Sequence, residues 1–203
     1  MKKEVVFIIL DQFANWESAY LAAALETDFV TNNYTISYAS TDKNVKTSIG
    51  NMKVLPDLTI DAIPSSAEAL VLIGANESWR TLGEEAQSKI ITTVQQFKKA
   101  NKVVAAICDG AYFLAVNGLL NDCKHTTNRL EEIKGVGAYT NEDNYVHTAL
   151  EAVSDKKIVT AKGDSALHFA ASVLRALGDI PEQGIRIFYT AHSLGFEKAM
   201  ELM

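Results

Sequence analysis

The 203-residue chain has two cysteines, Cys108 and Cys123, and three prolines. Two cysteines cannot build a disulfide framework, and their spacing is not that of zinc ligands. A disulfide-stapled domain is therefore not expected, no metal site is expected, and a reducing cytoplasm fits. Basic residues are not in excess. A formal net charge of −6 gives no electrostatic footprint for nucleic acid. No apolar run approaches the roughly 20 residues of a membrane span. Lys2-Lys3 followed by Val5–Leu10 has the outline of a signal peptide, but the run is short. Asp11 and Gln12 end it without a small-residue cleavage site, so it reads as a first strand. Repeats, low-complexity tracts and linkers are missing too, which leaves one domain over residues 1–203.

What is present is alternation. Continuous apolar runs at Val5–Leu10, Ala69–Ile73, Val103–Ile107 and Ile158–Ala161 read as parallel strands buried on both faces. Tyr34–Ser40 reads as a further strand, and Val45–Leu55 as a hairpin turning at Gly50-Asn51. Helical spacing predicts helices over about Asn15–Glu26, with Asn15 as a cap, and over Glu84–Ala100 and Ala166–Leu177, the last closed by Gly178. Pro56–Ser66 reads as a connector, Lys124–Thr127 as a short strand, and Ile185–Met203 as a helical tail. Strands alternating with helices predict a doubly wound, mostly parallel sheet covered by helices on both faces, with its site beyond the carboxyl ends of the strands.

The chain is organised around Val103–Ala115. An apolar strand runs into Ala106-Ile107-Cys108-Asp109-Gly110, and an apolar helix follows. Small residues two before and two after Cys108 are what a sharp strand-to-helix turn requires, the pattern of a nucleophile elbow with cysteine at its apex. A thiol at a helix N-terminus meets unpaired N–H groups and the positive end of the dipole, which lower its pKa. Free cysteine is also a common buried residue, so packing alone is the competing reading.

These segments together resemble the ThiJ/PfpI superfamily, within the flavodoxin-like, class I glutamine amidotransferase-like fold. The likeness runs from about Val5 to Leu177. Its anchors are Asp11 with Trp16-Glu17, Leu70–Gly74, Ala105–Gly110, Gly118-Leu119-Leu120, Lys124–Asn128 and Ile158–Gly163. The resemblance implies that Cys108 is the reactive cysteine and that Glu17 is the acid reaching its sulfur. It implies that Gly74 and Ala75, with the N–H of Asp109, form an oxyanion hole. Ala75 departs from the family's second glycine and would be strained if its φ were positive. The family's histidine is also absent: the positions that carry it read Asp109 and Asn128. That leaves no obvious general base; His125 is a weak candidate, and His168, His147 and His192 are weaker.

Asp109 itself reads either as an acid/base or as a residue placed to suit the helix dipole. Trp16 and Trp79 wall a pocket or simply pack. The resemblance implies a cofactor-independent thiol hydrolase or lyase acting on a small-molecule carbonyl or acyl substrate, as a homo-oligomer such as a dimer. The alternative is a redox-sensing or stress-protective protein that uses oxidation of the same cysteine. No His-x-Glu pair late in the chain supports glutamine amidotransferase activity.

Overall fold

The computed structural model describes residues 2–28 and 30–203. Nine strands and six helices follow one another as β1 (Lys3–Ile8), α1 (Asn15–Glu26), β2 (Tyr34–Ser40), β3 (Lys46–Thr47), β4 (Lys53–Val54), β5 (Leu58–Thr59), β6 (Ala69–Leu72), α2 (Glu84–Lys99), β7 (Val103–Ile107), α3 (Asp109–Val116), β8 (Val153–Asp155), β9 (Ile158–Ala161), α4 (Ala166–Leu177), α5 (Glu182–Leu194) and α6 (Phe196–Met200). Seven strands form one sheet in the order β5-β2-β1-β6-β7-β9-β8, with only β8 antiparallel to its neighbour. α1 and α4 pack together on one face with α5 outside them, and α2 and α3 lie against β7. Strands β6, β7 and β9 are buried throughout; β6 and β7 are unbroken apolar runs, and the one polar residue of β9, Thr160, accepts the Thr126 N–H. No helix among the described residues is long and apolar enough to cross a membrane.

From β1 the chain runs outward to β2 and β5, then returns to β6 on the other side of β1. The crevice at this reversal opens at the carboxyl ends of β1, β6 and β7, where a doubly wound sheet binds its ligands. Three non-glycine residues just beyond those ends have left-handed backbones: Gln12 (φ 57°), Glu77 (φ 60°) and Cys108 (φ 56°).

Several local expectations need correction. Lys124–Thr127 is not a strand; one bridge from His125 to Tyr145 is all the pairing it makes. Instead of a ladder, the backbone N–H groups of Lys124 and Thr126 donate to the Asp155 carboxylate and the Thr160 hydroxyl. The connector Pro56–Ser66 contains β5, which extends the sheet beside β2. β8 carries no long apolar run and is held by a two-residue hairpin turn. Lys156 and Lys157 both adopt positive φ there, a job more often given to Asn-Gly. Their ammonium groups anchor the turn on the carbonyls of Asp122 and Ala176. Asn15 does not cap α1: its Oδ1 accepts the N–H of Gly50 at 3.2 Å, tying the helix to the β3–β4 hairpin. The tail breaks at Gly195 (φ 98°) into α5 and α6.

Candidate active site

Cys108 sits between β7 and α3 with φ 56° and ψ −127°. A β-carbon in this region is strained, and such strain persists only where the surroundings enforce it. Here three glycines make the room. A β-carbon on Gly110 would lie 2.5 Å from the Leu72 carbonyl oxygen, and one on Gly74 2.6 Å from Cys108 Cβ. One on Gly163 would lie 2.9 Å from Cys108 Sγ and 3.1 Å from Glu17 Oε1. Sulfur and carboxyl oxygen thus flank the same point.

Glu17, in the first turn of α1, is fully buried. Its Oε2 accepts the Gly74 N–H at 2.7 Å. Its Oε1 has no N–H or O–H partner among the described residues and is left to the Cys108 thiol. Burial pushes the Glu17 carboxyl up to about 8, against opposing pulls from the Gly74 N–H and the thiol. The thiol is also raised, first by burial and then by the negative charge of Glu17, while the Asn128 side chain and the Asp109 N–H pull it back down. The lowered thiol pKa expected from the helix N-terminus is not met: burial outweighs the donors at the head of α3 and pushes the thiol up to about 12. Two negative charges do not fit in this space, so the pair holds both protons below about pH 8 and gives them up one at a time.

Asn128 touches the sulfur: its Nδ2 donates to Cys108 Sγ at 3.2 Å. Its Oδ1 accepts the Gly163 N–H at 2.9 Å, which fixes which end of the amide faces the thiol. An amide so held is a donor only and cannot take a proton. His125 points elsewhere. It is fully buried, with Nδ1 on the Cys123 carbonyl and Nε2 on the Tyr139 hydroxyl, each at 2.9 Å. His168 bonds the Tyr189 hydroxyl and His192 the Phe188 carbonyl.

Asp109 is clamped away from acid–base work. Arg80 grips it with two bonds, of 2.8 and 2.9 Å, and reaches Glu132 at 2.7 Å. Gly74 is in place, but its N–H is already spent on Glu17. Ala75 is not among the residues with positive φ, so its β-carbon carries no such strain. A pocket of about 500 Å³ opens above the sulfur, bounded by Trp16, Ile49, Glu77, Arg80 and Asp109. Trp79 is no part of it. That ring is buried against Phe113, with its N–H on the Ile73 carbonyl.

The sequence reading missed Arg80, Glu132 and Gly163. Arg80 lies in a loop with no periodic signal, and its role exists only through Asp109. Gly163 was quoted only as a resemblance anchor, yet its contact with Sγ and Glu17 is geometric. Among the described residues no group of three or more His, Cys, Asp or Glu side chains could hold a metal ion.

A mostly parallel sheet that presents a strained cysteine at the head of a helix places the chain among α/β proteins with a sharp strand-to-helix elbow. Within that class the chain belongs to the DJ-1/PfpI family, whose profile matches residues 3–176. It is 35% identical over 188 residues to the protein called "Uncharacterized protease YdeA" of Bacillus subtilis, covering 92% of this chain and 90% of that one. A thiJ/pfpI family protein from Bacillus anthracis superposes with a TM-score of 0.88 at 27% identity, over 100% of this chain and 95% of the other. A DJ-1 superfamily protein from Agrobacterium tumefaciens gives 0.80 at 32%, over 94% and 99%.

Proposed function

We propose that the protein is a cofactor-independent thiol enzyme in which Cys108 and Glu17 act as one unit on a small carbonyl or acyl compound. The observation that carries this reading is the buried Glu17 carboxyl, with its free oxygen turned to the sulfur at the floor of the pocket. A carboxyl raised to about 8 is matched to proton transfer near neutral pH. The reactive form is the thiolate beside neutral Glu17. Sulfur attacks the carbonyl carbon, the C–S bond forms, and the π electrons move to oxygen. Glu17 gives that oxygen its proton and becomes the carboxylate. With an acyl substrate the leaving group departs and takes the proton, and carboxylate Glu17 then draws a proton from the water that cleaves the thioester. Ala75 supplies a backbone N–H for the oxyanion, and Asp109 a second once the sulfur's charge has passed to the carbonyl oxygen, since Gly74 serves Glu17. Cys108→Ser abolishes turnover of small aldehydes, activated esters and amides in a substrate panel, with the fold kept. Turnover equal to wild type in that variant ends the proposal.

A second reading is favoured by the missing imidazole and the fixed donor Asn128. Here two equivalents of peroxide convert the thiol to a sulfinic acid held by Asn128, the Asp109 N–H and neutral Glu17. Selective gain of two oxygens on the Cys108 peptide supports it; random oxidation opposes it. Both readings place the protein in a reducing cytoplasm with two free thiols. The exposed Leu194 and Phe196 of the tail suit a homodimer contact.

A further inference from the structure

The pocket above Cys108 carries an imbalance of charge that thiol chemistry itself does not need. Arg80 is the one cation lining it among the described residues. Three of its five N–H donors are engaged, two on Asp109 and one on Glu132, and its flat face lies over the Tyr112 ring at 4.2 Å. Two carboxylates against one guanidinium leave this cluster with a net negative charge. Glu77 adds a further carboxylate to the wall. Its left-handed backbone (φ 60°) is pinned where Arg80 and Thr81 donate their N–H groups to its carbonyl, at 2.9 and 3.1 Å. The two bonds give Glu77 a fixed place in the pocket wall.

The other wall is Trp16. It is 45% exposed, yet its indole N–H is fixed on the Gly163 carbonyl at 3.1 Å, so the ring stands in place at the mouth. Tryptophan is the best aromatic partner for an organic cation. The N-terminus of α3 pulls the other way, toward anions. But its first N–H is turned onto the sulfur, and Asp109 sits in its first turn.

We propose that the Cys108 pocket selects electrophiles bearing an ammonium or guanidinium group beside the reactive carbon, and rejects carboxylates. Glu77 is the specificity-determining carboxylate and Trp16 the aromatic wall. The proposal rests on Cys108 being the nucleophile, as in the reading above.

The test uses three methanethiosulfonates of similar size: methyl (neutral), 2-aminoethyl (cationic) and 2-sulfonatoethyl (anionic). Each passes its thioalkyl group to the thiolate, forming a mixed disulfide and releasing methanesulfinate. Rates are read by mass spectrometry on the Cys108 peptide of the full chain, and each is divided by the rate with a small free thiol. At an ionic strength of about 20 mM, where charges reach furthest, the normalised cation-to-anion ratio is about tenfold. It shrinks by at least half at about 0.5 M salt, where screening is strong. Glu77→Gln lowers the ratio about threefold, the effect of one nearby unit charge in a water-like dielectric, and Glu77→Lys brings it to the free-thiol value or below. A wild-type ratio equal to that of the free thiol overturns the proposal, as does a ratio unmoved by Glu77→Lys. If all three reagents react more slowly than with the free thiol, the nucleophile reading fails instead, while the ratio still reports the charge of the pocket.

Discussion

Glu17 and His125 are both fully buried and titratable, yet they have opposite fates. His125 has both ring nitrogens satisfied, by the Cys123 carbonyl and the Tyr139 hydroxyl. Glu17 has one oxygen satisfied, and the other is left facing a thiol. Burial disfavours the charged form of each, so it raises the carboxyl and lowers the imidazole. What separates the two is the unpaired atom aimed at a thiol, not burial and not residue type. Under the proposed function histidine, the usual proton carrier, is the spectator, and glutamate takes its place.

The contrast can be broken in several ways. Glu17→Gln has the largest expected effect. It keeps an acceptor for the Gly74 N–H but removes the proton carrier, and turnover falls by about 10²- to 10⁴-fold, the usual worth of general acid–base catalysis. Asn128→Ala removes a donor from a charged sulfur, an interaction worth about 1.5–3 kcal/mol. Alkylation of Cys108 by iodoacetamide at pH 7 then slows by at least about tenfold. His125→Gln costs about 1–3 kcal/mol of stability by disturbing buried hydrogen bonds, read by urea denaturation. It leaves the pH profile of Cys108 alkylation where it was; a moved profile would return His125 to the site.

Stability against pH sharpens the same comparison through signs. The folded pKa of Glu17 is raised from 4.5 to about 8, so folded Glu17 holds a proton that the unfolded chain has released. Its contribution is fully present below pH 4.5 and is lost as pH rises to about 8. His125 is lowered from 6.5, so its contribution is present above that value and is lost as pH falls through the folded pKa. Urea midpoints measured across pH 4.5–8 fall more steeply on the alkaline side for wild type than for Glu17→Gln. Arg80→Met gives the smallest change. It frees the Asp109 carboxylate, whose charge already opposes the thiolate, and shifts the midpoint of Cys108 alkylation upward by a few tenths of a pH unit; no shift would show that Asp109 stays turned away without its clamp.

The sheet was legible because buried parallel strands are written as unbroken apolar runs, and Val103–Ile107 runs straight into its cysteine. β8 and β5 were not legible. Each is two or three residues long; β5 is held by β2, some way back in the chain, and β8 by a Lys156-Lys157 turn that carries no usual turn residue. Cys108 could be read from its small neighbours. Glu17 could not be read from residue pattern, since a glutamate in a first helical turn looks like any solvated one; only the family resemblance pointed to it. The loss of Gly74 as a free donor was invisible for the same reason: it follows from where a carboxylate 57 residues away points its oxygen. Arg80 and Glu132 come from loops whose meeting with Asp109 is a fact of tertiary structure alone.

The central claim is that Glu17 keeps its proton at neutral pH and shares it with Cys108. A ¹³C NMR titration of the Glu17 side-chain carboxyl tests this directly, with Glu17→Gln used for assignment. The account predicts a midpoint near 8. A midpoint near the ordinary 4.5 would show a carboxylate fully ionised beside the sulfur, with no proton to give, and would contradict it.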